Sequence, residues 1–103
     1  MTEEMKKKLS GILEKTVEPI SDLSIADLGV VQGIKFNALS ERFTVYLDMQ
    51  RMSLVTGTFF FVTGDIEMEE ILSRAIKNAF PGYTVRYYYI RGNNNTHGNL
   101  RFM

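Results

Sequence analysis

The chain has 103 residues, of which 45% are hydrophobic and 23% are charged. This length and composition are typical of one soluble globular domain and leave no room for a separate ligand-binding lobe. Twelve basic residues balance twelve acidic ones, so the net charge does not favour non-specific binding to nucleic acid. The absence of cysteine excludes disulfides, thiolate ligands and cysteine nucleophiles.

The start of the chain carries no targeting signal, because residues 1–8 are charged and no apolar segment follows them. No apolar run approaches the roughly 20 residues that a membrane-spanning helix requires. We therefore expect a cytoplasmic protein that has no membrane partner.

Residues 3–16 are predicted to form an amphipathic helix. Its apolar stripe follows the three- and four-residue spacing of one helix face. The stripe consists of Met5, Leu9, Ile12, Leu13 and Thr16. Pro19 cannot continue the helix. Residues 18–27 are predicted to be a connection in which short Ser and Asp side chains bond to nearby backbone N–H groups.

Two strands are predicted next, at residues 29–36 and 42–49. In the second strand, one set of side chains is predicted to point to one face and the alternate set to the other. The first set is Phe43, Val45, Leu47 and Met49, and the second is Thr44, Tyr46 and Asp48. The short linker at residues 37–41 suits a hairpin, which predicts antiparallel neighbours.

A second helix is predicted at residues 66–80, where the apolar stripe is unbroken. Asp65 is the predicted N-cap, and the Pro-Gly pair at 81–82 ends the helix. The tyrosine-rich residues 83–90 predict a strand. Residues 54–62 are either an additional strand or an apolar loop, and their aromatic and β-branched content favours the strand.

The predicted order of elements is therefore α-β-β-(β)-α-β. We expect an α+β fold, a two-layer α/β sandwich in which a small mixed sheet carries two helices on one face. Residues 1–92 form this single domain. The turn-rich residues 93–103 are predicted to be a mobile tail, in which residues 100–103 either dock back or hang free.

One resemblance follows from this order. A helix is followed by Val17-Glu18-Pro19, then by residues 23–31, then by a hairpin that ends Val45-Tyr46-Leu47-Asp48-Met49. Together with Asp27-Leu28-Gly29-Val30-Val31, this pattern resembles the small iron–sulfur cluster assembly domain of SufT-type proteins and of the N-terminus of Mrp-type P-loop scaffold ATPases. The resemblance covers residues 5–90 and implies the fold of a metal–sulfur cluster biosynthesis domain.

That family usually carries a Thr-x-Pro-Gly-Cys-Pro turn between the second strand and the second helix. Residues 50–64 occupy this place here and contain neither Cys nor Pro. The resemblance therefore implies a divergent member that keeps the fold without thiolate chemistry. It implies a non-enzymatic accessory or adaptor domain that acts by protein–protein binding, with iron–sulfur assembly factors as partners.

Two segments are predicted to bind a protein partner or to mediate homodimer formation. They are the acidic connection Glu18, Asp22 and Asp27, and the aromatic run Phe59, Phe60 and Phe61. The carboxylates are either turn and cap residues, which is favoured, or ligands of a hard cation. Successive side chains alternate on a strand, so at least one phenylalanine is exposed or covered by a partner. Burial of the run in the core is the equal alternative.

Other candidate residues favour structural roles. His97 lies in a polar tail without a nearby carboxylate, which predicts a solvated side chain. Met49, Met52 and Met68 are either copper(I) ligands or, more in keeping with methionine, core residues. No catalytic, cofactor or metal site is predicted.

The alternative function is that of a nucleic-acid-associated module that uses the last strand. Aromatic side chains on a sheet beside arginines can stack on nucleobases. The residues concerned are Tyr83, Tyr87, Tyr88 and Tyr89 with Arg86, Arg91 and Arg101. The competing interpretation is cross-strand aromatic packing, which the neutral net charge favours.

Overall fold

A computed structural model describes residues 1–19, 21–48, 63–90 and 100–102. In chain order the elements are α1 (Glu3–Lys15), β1 (Val17–Glu18), β2 (Leu23–Ser24), α2 (Ile25–Leu28), β3 (Val31–Asn37), β4 (Arg42–Leu47), α3 (Thr63–Ala79), β5 (Thr84–Tyr89) and β6 (Arg101–Phe102). Helices and a mixed four-stranded sheet make an α+β fold, which confirms the predicted fold class.

Helix α1 begins where a threonine side chain replaces a missing backbone partner. The Thr2 hydroxyl accepts a hydrogen bond from the N–H of Met5 at 3.1 Å, as an N-cap residue does. Leu9 and Leu13 are buried on one face. The helix ends one residue before the predicted end, because Thr16 adopts extended backbone angles and leads into β1.

The four-stranded sheet has the order β5-β4-β3-β6. Strands β3 and β4 pair antiparallel, as the hairpin prediction requires, while β5 lies parallel to β4 and β6 lies parallel to β3. Parallel neighbours need a long crossover connection, and α3 lies in the connection between β4 and β5. The sheet is therefore mixed, as predicted.

Alternation along the strands gives the sheet two different faces. On β4, Phe43, Val45 and Leu47 are buried on the inner face, whereas Thr44 and Tyr46 are only half-buried. The registers of β3, β5 and β6 extend this division across the sheet. The outer face carries the side chains of Lys35, Asn37, Arg42, Thr44, Tyr46, Thr84, Arg86, Tyr88 and Arg101.

Strand β4 ends at Leu47, two residues before the predicted end at residue 49. Asp48, predicted to point outward with Thr44 and Tyr46, lies after the strand and is only 1% exposed. Its N–H donates to the carbonyl of Val30 at 2.7 Å. Val30 precedes the Val31–Leu47 pair in the antiparallel register, so the backbone of Asp48 stays bonded beside β3 although β4 ends at Leu47.

The hydrophobic core lies between the inner face and the helices α1, α2 and α3. Its buried apolar residues come from all of these elements. At one end, the Phe43 ring packs against Phe36 and Phe80, each with its ring centroid at 5.0 Å, and against Tyr83 at 5.7 Å. This aromatic cluster ties the hairpin to the end of α3.

Helix α3 starts earlier than the sequence predicts. It begins at Thr63, so Asp65 lies within the first turn and is not the N-cap. The predicted start at residue 66 is wrong, because the helix includes Thr63 and Gly64 despite the low helix propensity of glycine. The helix ends at Ala79, and Gly82 adopts a φ of 89° in the turn that follows, a conformation that glycine adopts without steric cost.

The last strand decides one of the alternatives that the sequence left open, which is whether the end of the chain docks back or hangs free. Arg101 and Phe102 pair with Gly33 and Ile34 of β3, so this part of the chain end docks on the sheet. Residues 54–62 and 93–99, for which a strand or loop and a mobile tail were predicted, lie outside the described residues.

Tyr87 joins β5 to α3 through its hydroxyl group. The phenol donates a hydrogen bond to the Glu69 carbonyl at 3.1 Å and lies 2.7 Å from the Ser73 hydroxyl. The pKa of Tyr87 is raised from 10.0 to about 12, chiefly because the hydroxyl is buried. The hydrogen bond with Ser73 partly lowers this pKa, and the nearby Glu69 carboxylate raises it. The folded protein therefore retains this proton at a pH where the unfolded chain releases it.

We predict that stability falls as the pH rises from 10 to 12, since proton release from Tyr87 favours the unfolded chain in that range. Tyr87→Phe removes this part of the pH dependence. It also lowers the free energy of unfolding at neutral pH by about 1 kcal/mol, because the hydrogen bonds are lost.

Urea unfolding across this pH range, followed by circular dichroism, checks the prediction. Tyr88→Phe is the matched control, because Tyr88 is exposed. Equal slopes of stability against pH for Tyr87→Phe and the wild type would contradict it.

Candidate functional site

The acidic connection contains more regular structure than the sequence predicts. Val17 pairs with Ser24 and Glu18 with Leu23, so β1 and β2 form a two-stranded antiparallel ladder. The Ser24 hydroxyl then accepts a hydrogen bond from the N–H of Asp27 at 3.0 Å and caps the short helix α2. Ser24, and not one of the acidic residues, is thus the cap of this segment.

The three carboxylates predicted to bind a partner lie in different environments. Glu18 is 1% exposed, and its carboxylate accepts a hydrogen bond from the N–H of Ser21 at 2.6 Å. Asp22 and Asp27 are exposed, and Asp22 has a φ of 61° in the turn. Glu18 therefore faces the turn that it stabilises, while Asp22 and Asp27 remain accessible.

These carboxylates do not form a cation site. In the described ranges, no group of three or more His, Cys, Asp or Glu side chains is arranged to hold a metal ion. Met68, one of the methionines considered as a soft ligand, is buried in the core. The favoured interpretation of the acidic connection as turn residues agrees with the positions of Glu18 and Asp22.

We predict that Glu18→Ala lowers the free energy of unfolding by about 1–3 kcal/mol, because the part-buried N–H of Ser21 loses its hydrogen bond to the carboxylate. Urea unfolding measures the change. Glu14→Ala is the control with the same charge change, since Glu14 is exposed on α1. Equal midpoints for the two variants would show that the turn does not depend on the carboxylate.

Several predicted residues lie outside the described part of the chain. These are Phe59, Phe60 and Phe61, with His97, Met49, Met52 and Arg91. The aromatic run predicted to bind a partner thus stays a prediction.

The outer face of the sheet brings together residues that are far apart in sequence. The β3–β4 and β4–β5 registers place Asn37, Arg42 and Thr84 in one row across the strands. The next row holds Lys35, Thr44 and Arg86. The third row holds Tyr46 and Tyr88, with Gly33 beside Tyr46 and Arg101 beside Gly33.

The charge of this face is of one sign. It carries Lys35, Arg42, Arg86 and Arg101, and none of the described residues places a carboxylate there. The nearest acidic residue of the hairpin is Glu41, in its turn. Within the described ranges, none of the four cations forms an ion pair. A chain with no net charge therefore presents a cationic surface on one side of its sheet.

Two tyrosines stand at the end of this cationic surface. The rings of Tyr46 and Tyr88 are stacked, with centroids 5.8 Å apart and an interplanar angle of 22°. Tyr88 is 52% exposed and lies on β5, at an end of the strand order. A shallow depression of about 280 Å³ lies beside the pair. It is lined by Lys35, Asn37, Ser40, Arg42, Thr44, Tyr46, Arg86 and Tyr88.

The four tyrosines considered for nucleobase stacking divide between the two sides of the sheet. Tyr83 belongs to the aromatic core cluster, Tyr87 bonds to α3, and the Tyr89 hydroxyl donates to the Glu69 carboxylate. Only Tyr88 lies on the outer face, where it stacks on Tyr46. Cross-strand packing and an exposed aromatic surface therefore coexist on one strand.

Sequence reasoning missed Lys35, Arg42, Thr44 and Tyr46 as members of the same surface. The signal was present, because the alternation of β4 already separates Thr44 and Tyr46 from the buried residues. The parallel register of β5 against β4, which brings Arg86 and Tyr88 beside them, has no comparable signal in the sequence.

Comparisons of the chain with protein-family models, with curated proteins and with solved structures found no match. The resemblance to the iron–sulfur cluster assembly domain therefore stays a prediction. Among the helices of the described residues, none combines the length and the apolar character needed to cross a bilayer.

Proposed function

We propose that the outer face of the sheet binds single-stranded nucleic acid without catalysing a reaction. The observation that carries this proposal is the combination, on one face of the sheet, of four cations without ion-pair partners and the exposed Tyr88 stacked on the half-buried Tyr46, with no carboxylate on that face among the described residues. Each feature supplies one part of nucleic-acid recognition.

The cations supply the attraction to phosphate. Binding of a nucleic acid backbone depends on Lys and Arg that neutralise phosphates and release counterions. The neutral net charge argues against phosphate binding only if acidic and basic side chains are mixed evenly over the surface. Among the described residues the outer face carries cations without acidic side chains, which favours a positive local potential there although the sum over the chain is zero.

The tyrosines favour a single strand over a duplex. Unpaired bases can stack on aromatic side chains, whereas the base faces of a duplex are already stacked on one another. The exposed ring of Tyr88, which is stacked on Tyr46, offers such a surface. An acidic peptide would satisfy the cations but would leave the rings without a planar partner.

The predicted accessory role in iron–sulfur cluster assembly is a separate hypothesis. It rests on Phe59–Phe61, outside the described residues, and on an acidic connection in which Glu18 is buried. No described contact favours it, and it stays a prediction together with homodimer formation.

We expect the affinity for a fluorescently labelled oligonucleotide of about 12 nucleotides to fall steeply with salt. With four phosphate contacts, the slope of log K against log salt is about −2.8. Arg86→Ala reduces its magnitude by about 0.7, because one contact is lost. Fluorescence anisotropy titrations at several salt concentrations measure the slope.

The matched control is Arg74→Ala, which removes an exposed cation from α3. It leaves the slope at the wild-type value, since α3 lies on the other side of the sheet. The proposal fails if no binding is detected at low salt, or if the two variants lower the slope equally.

Tyr88→Ala tests the stacking part separately. Loss of one base–aromatic stack is expected to weaken binding by about 1–3 kcal/mol. The salt slope stays unchanged, because no charge is removed. Tyr88→Phe keeps the ring and retains the affinity. Equal affinities of Tyr88→Ala and Tyr88→Phe would remove the tyrosine from the binding surface.

A further inference from the structure

We infer that the depression over Thr44 is a phosphate site, and that a nucleotide bound there directs its base towards Tyr88. This inference rests on the proposed function and names the unit that the outer face recognises. A free nucleotide and a nucleotide within a strand share this chemistry, so the test below separates the two sources.

Thr44 lines the depression and lies in the middle of β4, an inner strand of the sheet. Lys35 on β3 and Arg86 on β5 are its direct neighbours in the two registers. Arg42 precedes it by two residues on the same face. Strand spacing of about 5 Å and a two-residue rise of about 7 Å place all three cations within reach of one anion.

The groups that line the depression are hydrogen-bond donors or can act as donors. In the described part of the chain, the Thr44 hydroxyl forms no hydrogen bond, and the three cations form no ion pair. The Asn37 Oδ1 already accepts from the N–H groups of Leu39 and Ser40, at 3.0 and 3.3 Å, so its amide nitrogen is the part left to donate. None of the described residues that line the site carries a carboxylate.

This donor set selects an anion that is rich in acceptors. A phosphate group accepts several hydrogen bonds at once, and arginine matches its geometry with two parallel N–H groups. The volume of about 280 Å³ is several times the roughly 30 Å³ share of one water molecule in the liquid. The depression therefore has room for a phosphate group without closing around it.

The surroundings of the depression are asymmetric, which gives a bound nucleotide an orientation. Asn37 and Ser40 lie on the side of the hairpin turn, and Tyr46 and Tyr88 lie on the opposite side. A phosphate over Thr44 thus has polar groups on one side and aromatic rings on the other. The base attached to it stacks only on the tyrosine side.

The experiment is a titration of the ¹⁵N-labelled full chain, followed by NMR amide shifts. The probes are inorganic phosphate, uridine, uridine monophosphate and single-stranded oligouridylate. We expect phosphate to shift Thr44, Lys35 and Arg86. Uridine monophosphate shifts these residues and Tyr88 as well, whereas uridine leaves Thr44 unmoved.

Thr44→Val is the decisive variant, because it removes the hydroxyl and keeps a β-branched side chain suited to a strand. We expect its affinity for phosphate and for uridine monophosphate to fall about tenfold, as for a lost hydrogen bond to a charged group. Its salt slope with oligouridylate stays at the wild-type value. Thr44→Ser restores the hydroxyl and the affinity.

Arg101→Ala is the matched control, since Arg101 lies on the outer face but does not line the depression. It lowers the salt slope for oligouridylate and leaves phosphate affinity unchanged. An amide spectrum that retains the wild-type dispersion shows that each variant is folded.

The phosphate site is overturned if oligouridylate binds while phosphate and uridine monophosphate leave Thr44 unmoved, or if Thr44→Val binds both as the wild type does. In that case the proposed single-strand binding stands. If instead the small phosphates bind in a Thr44-dependent manner and oligouridylate does not, the phosphate site stands and single-strand binding fails. The ligand of the phosphate site is then a free nucleotide and not a nucleotide within a strand.

Discussion

The register between β3 and β4 is the constraint on which the rest of the structure depends. It sets Phe43 and Val45 opposite Phe36 and Ile34 on the inner face, and Thr44 opposite Lys35 on the outer face. A slip of one residue would move every one of these side chains to the opposite face. Since Ile34, Phe43 and Val45 are fully buried, such a slip would expose core residues and bury charge.

The β3–β4 register also gives the two faces of the sheet different surroundings. Helices α1 and α3 contribute Leu9, Leu13, Leu72 and Ile76 to the core beneath the inner face, so that side of the sheet carries the stability. The outer face is left to polar and charged side chains. Among the described residues, the four cations of this face are not part of the hydrophobic core.

The acidic connection shows how polar residues can serve the fold before they serve a partner. Glu18 is buried where its carboxylate satisfies a backbone N–H of the turn, and Ser24 begins α2 in the same way. The segment that carries the resemblance to a cluster-assembly domain is thus held together by its own hydrogen bonds. Ser and acidic side chains in such a segment therefore indicate local backbone geometry before they indicate a binding site.

The sequence by itself determined the two long helices, the β3–β4 hairpin and the alternation of Phe43 to Leu47, because each depends on periodicity within a short stretch. It did not reveal the β1–β2 ladder or α2, which are too short for a periodic signal. Only the tertiary structure brought Lys35, Arg42 and Thr44 beside Arg86 and Tyr88. The parallel pairing of β4 with β5 joins segments about forty residues apart, and neighbouring residues in the sequence carry no information on such a contact.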